Sequence, residues 1–150
     1  GLIEDTGRLC DAAMAVANEF RAALKSIATH HQQVIECGIG LHFAKQIDAN
    51  VSVLSMNTPS GPIVQKNFYT ASPEVDLVHR IEKVVHQLPG SNIVMSDQFL
   101  ANLTRAADPA PIAIGAHLFK GQTSPVNLHV IKSSFATPED IQKLILNQAA

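Results

Sequence analysis

The chain has 150 residues, 46% of them hydrophobic and 16% charged, with a formal net charge of −2. That length favours one domain around one core, and a chain with no basic stripe and no tryptophan is a poor fit to nucleic acid. No apolar run approaches the ~20 residues that span a bilayer. The start carries no signal-peptide pattern, and Gly1 in place of a methionine suggests a piece of a longer chain. Cys10 and Cys37 lack metal-ligand spacing and make no disulfide framework, so they read as buried thiols in a reducing, cytoplasmic setting.

Residues 7–28 predict a long amphipathic helix. Leu9, Ala13, Val16, Phe20, Leu24 and Ile27 share its apolar face, which is expected to lie on a sheet. His30 and His31 follow in a polar connection, where two adjacent histidines without a third ligand make a poor metal site. From 34 to 43, Ile35, Cys37, Ile39, Leu41 and Phe43 alternate with Glu36, Gly38, Gly40 and His42. The alternation predicts a strand whose glycine face leaves room for a helix or another chain to come close. Residues 51–54 predict a second strand, antiparallel to the first; 57–62 read as a turn and 63–69 as a third, weaker strand.

Ser72 suits an N-cap, with Pro73 at the first helical position. Leu77, Ile81, Val84 and Leu88 then recur at helical spacing until Pro89-Gly90 stops the helix. Residues 92–95 form a short apolar run of strand length, and Ser96 caps a helix carrying Phe99, Leu100 and Leu103. After a loop at 106–111, strand segments flank Gly115. A further strand at 126–131 is set to pair with them as a hairpin across the 121–125 turn. Thr137, Pro138 and Asp140 open a final helix, placed at 137–150, with Ile141, Leu144 and Ile145 as its apolar edge. The order predicts one α+β domain over 1–150, a mainly antiparallel sheet with helices over one face.

Several of these segments carry a family resemblance. Val75-Asp76-Leu77-Val78-His79-Arg80-Ile81-Glu82 is similar to the V-N-x-A-A-R-L-E helix of class III adenylate and guanylate cyclases. Pro89-Gly90-Ser91-Asn92-Ile93-Val94-Met95-Ser96 resembles that family's P-G-x-I-x-V-S turn and strand. Ile39-Gly40-Leu41-His42 resembles its I-G-I-H strand end, Tyr69-Thr70 the Y-T before the central helix, and Phe119-Lys120-Gly121 with Pro125-Val126 the L-K-G-x-x-x-P-V hairpin. The resemblance runs from about Gly7 to Ile131. It departs from the family where Ala44, Ala49 and Ser52 replace glycines.

The resemblance implies a ferredoxin-like, nucleotide-cyclase-like fold, truncated at its N-terminus. It places Arg80 on the arginine that stabilises charge at the reacting phosphate. Asp76 falls on the asparagine that holds the nucleotide, where a carboxylate would repel a triphosphate and sits at the right spacing to pair with Arg80. Read without the resemblance, both residues suit a solvated helix face. Thr70 lies near the base-selecting position, although the segment from 69 to 76 is one residue short. His79 replaces a small residue and reads as a surface or dimer-facing side chain. In the family two metal-binding aspartates lie upstream of the alanine-rich helix that residues 7–28 resemble, and nothing ahead of Gly7 supplies them. Loss of both should abolish the chemistry.

The expectation is therefore a degenerate cyclase-homology domain, catalytically inactive, acting as a dimerising or regulatory module. Its expected partner is a second copy or a related cyclase-like chain. The alternative is the C-terminal part of an active nucleotide cyclase that takes its metal site from a missing segment or partner. Magnesium or manganese belongs only to that alternative; otherwise no cofactor is expected. A third reading, an unrelated α+β ligand-binding domain, lacks a phosphate loop, a nucleophile elbow or a zinc-helix motif to promote it.

Overall fold

Asn92–Ser96 is a strand whose middle, Ile93-Val94-Met95, has no polar side to turn to water, and every one of its residues is buried. In a computed structural model of the chain, which describes residues 2–70 and 72–147 (side chains of 2–4 and 69–70 excepted), this strand sits between two layers of helix. The elements are α1 (Leu2–His31), β1 (Gly38–Leu41), β2 (Ala49–Thr58), β3 (Gly61–Thr70), α2 (Pro73–Val85), β4 (Asn92–Ser96), α3 (Asp97–Ala101), β5 (Ile112–His117), β6 (Val126–Ile131) and α4 (Pro138–Leu146). Four strands form one sheet in the order β1-β4-β6-β5. The β1–β4 pairing is parallel and the other two are antiparallel, so the α+β fold has a mixed sheet.

Successive residues of β4 feed opposite cores. Val94 packs with Leu77 and Ile81 of α2, Leu128 of β6 and Ile141 of α4. Ile93 and Met95 pack with Cys10, Met14 and Ala17 of α1 and with Phe99 of α3. Helices thus cover both faces of the sheet, which corrects the expectation of helices over one face. The physical reason is β4 itself: a strand apolar on both sides needs cover on both.

The expected pairing of the second strand with the first is also corrected. β2 pairs with β3 over ten residues as a separate antiparallel ribbon. A two-residue turn joins them, Gly61 at φ +114° takes the left-handed conformation, and Thr58 Oγ1 donates to the Gly61 carbonyl at 2.7 Å. Local closure of that kind captures β2, and β1 is committed to β4 instead.

The long helix is present but turned. Cys10, Met14 and Ala17 face the sheet, whereas Leu9, Val16, Phe20 and Ile27 of the expected sheet-facing stripe are 70%, 64%, 49% and 47% exposed. Two anchors fix that rotation. Asp11 accepts from the Thr104 hydroxyl and backbone N–H, and Arg21 Nη1 donates to the Ile131 carbonyl at 3.2 Å. The inward side is also the small one: a Cβ on Gly7 would collide with Thr104. Cys10 is buried as expected, but Cys37 is only half-buried; both thiols are free.

The caps follow the sequence closely. Ser72 caps α2 with Pro73 at the first position, Ser96 caps α3, and Thr137 and Asp140 form a reciprocal capping box on α4. Residues 148–150, placed in the final helix from sequence, lie outside the described residues. α2 ends at Val85, before Leu88, because Gln87 and Leu88 donate to Val84 and Val85 in tighter three-residue turns. Gly90 then takes φ +83°.

The glycine face of β1 does receive a helix. A Cβ on Gly40 would stand 3.0 Å from the Glu82 nitrogen and from the Val78 carbonyl, both backbone atoms of α2. Because backbone cannot rotate away, Gly40→Ala should destabilise the fold by ~1–3 kcal/mol, despite alanine's lower conformational freedom when unfolded. Urea unfolding of the two proteins measures this, and an unchanged midpoint would contradict the close approach.

Candidate functional site

The first turn of α2 brings together what the resemblance would make a site. Asp76 is exposed there, its N–H bonded to the Ser72 carbonyl at 3.2 Å; with Glu74 it puts negative charge at the positive end of the helix dipole. Arg80 is half-buried one turn later and His79 is exposed. The expected Asp76–Arg80 ion pair does not form; the acids of α2 that do pair meet His42 and His86. Thr70 ends β3 opposite Ala49, and its side chain lies outside the described residues. Neither Asp76 nor Arg80 lines the two cavities described here.

A different group of side chains converges at the C-terminal end of β1. The His42 side chain is 2% exposed; its Nε2 lies 2.7 Å from Glu74 Oε2 and its Nδ1 2.8 Å from Ser96 Oγ. A carboxylate can only accept, so in the neutral ring Nε2–H donates to Glu74 and Nδ1 accepts from the Ser96 hydroxyl. Ser96 Oγ in turn accepts the Phe99 N–H at 3.2 Å, capping α3. One imidazole therefore joins the end of β1, the start of α2 and the β4–α3 junction. Sequence reasoning passed over this trio because 32 and 54 residues separate its partners from His42. Its only local signals were Ser96 as a cap and His42 in the alternation of the expected 34–43 strand.

A serine, a histidine and a carboxylate in a row invite comparison with nucleophilic catalysis, and the geometry rejects it. Ser96 has no exposed surface and its oxygen is occupied by the cap. A nucleophile must meet its substrate. What is open to solvent is Glu74, whose side chain is 42% exposed and lines a cavity of about 510 Å³ with Lys45, Gln46, Gln98 and Asn102. That cavity offers amides and one charge of each sign, with Glu74 oriented by His42.

No set of three His, Cys, Asp or Glu side chains among the described residues is placed to hold a metal ion. His30 and His31 are exposed and meet edge to face at 4.9 Å between ring centroids. No described helix is long and apolar enough to cross a membrane. Comparison with known proteins returns no matching family model, no matching curated protein and no matching solved structure.

Two predictions come from the buried imidazoles. Removing His42 strands the Ser96 hydroxyl inside the protein and frees Glu74. His42→Ala should therefore lower stability by ~1–3 kcal/mol, and Glu74→Gln, at a more exposed partner, by less; equal and negligible losses in urea melts would refute the bridging role. His117 is buried against Phe119, its Nε2 without a partner, and burial pushes its pKa below the ordinary 6.5, partly offset by a bond to the Ile114 backbone. Such a group gains a proton on unfolding, so its contribution is fully present above its unfolded value and is lost as pH falls below it. The melting temperature should drop between about pH 7 and about pH 5, with a smaller drop in His117→Gln.

Proposed function

We propose that the chain is a self-associating regulatory module built on a cyclase-homology scaffold and without turnover of its own. The observation that carries this reading is the exposed stripe on α1. Leu9, Val16, Phe20 and Ile27 recur at intervals of seven, four and seven, the heptad seam of a helix that pairs with another helix. Ala23, exposed between Phe20 and Ile27, continues the same seam and leaves space for a second backbone to approach. No charged residue interrupts it between Leu9 and Ile27. In a parallel two-fold arrangement each residue of the seam meets its own copy.

The β2–β3 ribbon supports the reading independently. Val51, Val53, Val64 and Phe68 lie exposed on one of its faces and Leu54, Met56 and Ile63 on the other. A two-stranded ribbon has no interior of its own and is marginal in water. So large an apolar surface fits a contact with another chain. β1 and β5, at the sheet margins, each leave one side unpaired and add to the surfaces a second copy can meet.

The lack of turnover rests on the resemblance and on chemistry: a carboxylate at Asp76, and no metal-ligand set among the described residues. Nucleotide binding with metal would instead favour the C-terminal part of an active cyclase completed by another segment.

Sedimentation or light scattering of the purified chain should give a dimer. Val16→Asp with Phe20→Asp should give a monomer with an unchanged far-ultraviolet spectrum, since neither side chain contributes to the two cores. A wild-type chain that stays monomeric at high concentration would remove the reading. Calorimetric titration with ATP and GTP analogues, with and without manganese, should show no binding at millimolar ligand; metal-dependent binding would shift the conclusion to the cyclase alternative.

A further inference from the structure

A second cavity is lined by neither Asp76 nor Arg80. The C-terminal half of α1, the 32–36 segment and the 89–91 and 133–135 loops enclose a groove of about 800 Å³. That is within the roughly 300–1,000 Å³ of small-molecule sites. Ile35, Pro89 and Phe135 give it an apolar wall, and Arg21 and Lys25, one turn apart on α1, bring two positive charges to it.

Neither cation has a carboxylate partner among the described residues. Arg21 is half-buried and spends one N–H on the Ile131 carbonyl, leaving the rest of its fork unmatched by any anion. The one carboxylate on the wall, Glu36, has one oxygen engaged within that wall: its Oε1 accepts the Gly90 N–H at 2.9 Å. The carbonyls at the end of α1, which would oppose an anion, are partly closed by Gln32 and Gln33, whose N–H groups donate to Thr29 and Ala28 at 3.3 and 3.0 Å. A guanidinium that has given up water without gaining a counter-charge is costly. An anion seated there offsets that cost.

We propose that this groove binds a small organic anion with an apolar body. Its carboxylate or phosphate head meets Arg21 and Lys25, and its aliphatic or aromatic body lies against Ile35, Pro89 and Phe135. The test is calorimetric titration of the full chain with decanoate and decyl phosphate, and with decanol and decyltrimethylammonium as neutral and cationic counterparts. One anion per chain is expected, bound about tenfold or more tightly than decanol, a difference expected for a charge-assisted head contact. Lys25→Gln, at an exposed position whose side chain has no partner among the described residues, should weaken the anion severalfold; Arg21→Gln should weaken it more, and Phe135→Ser should weaken both anions alike. Decanol binding as tightly as decanoate, or full affinity in both cation variants, would overturn the proposal. So would loss of binding in Val16→Asp with Phe20→Asp, because the ligand would then occupy the outer stripe of α1. Because those two substitutions lie outside the groove, dimer loss and ligand loss are read separately.

Discussion

Burial of one five-residue strand on both faces governs the rest of the architecture. β4 places Val94 in one core and Ile93 and Met95 in the other, so neither helix layer is complete without it. Its first residue extends the constraint into the loops. Asn92 is fully buried; its Nδ2 donates to Gly90 at 2.8 Å and Pro89 at 3.2 Å, and its Oδ1 accepts the Ser133 N–H at 2.7 Å. A buried amide left unpaired is expensive. Satisfying this one requires the 89–91 turn and the 133–136 loop to take fixed positions. At the other end Ser96 caps α3 and holds His42, so both ends of β4 are pinned by polar side chains while its middle is dry.

Local signals carried most of the secondary structure. Ser72-Pro73, Ser96 and Thr137-Pro138 with Asp140 marked three helix starts because capping is chemistry within four residues. Gly38 and Gly40 announced a close helix approach because the absence of a Cβ is visible in the letters. What failed was placement in three dimensions. The helix at 2–31 has two usable faces, one of small residues and one of large ones, and hydrophobicity favoured the large one. The anchors that decided otherwise, Thr104 for Asp11 and the Ile131 carbonyl for Arg21, are 93 and 110 residues away.

The same distance limit explains the site. Asp76 and Arg80 were nominated through the one motif of the resemblance that lies within a single helix, and at that range the sequence is informative about spacing but silent about orientation. The trio that converges is assembled from the ends of β1, α2 and β4. Each member looked like ordinary structural punctuation. The exposed faces of α1 and of the β2–β3 ribbon were likewise unreadable as surface, since apolar periodicity is the same whether the covering partner is this chain or another.

The β2–β3 ribbon also bears on how the chain reaches its native topology. Pairing β1 with β4 in parallel closes a loop of about fifty residues, and that ribbon sits inside it. If the ribbon forms first it shortens the effective loop from roughly 54 to roughly 33 residues, which lowers the closure entropy by only ~0.4 kcal/mol. So small a saving does not account for twenty residues of paired, apolar, uncovered backbone on kinetic grounds. The exposed apolar faces of the ribbon are the surface that the proposed self-association would use.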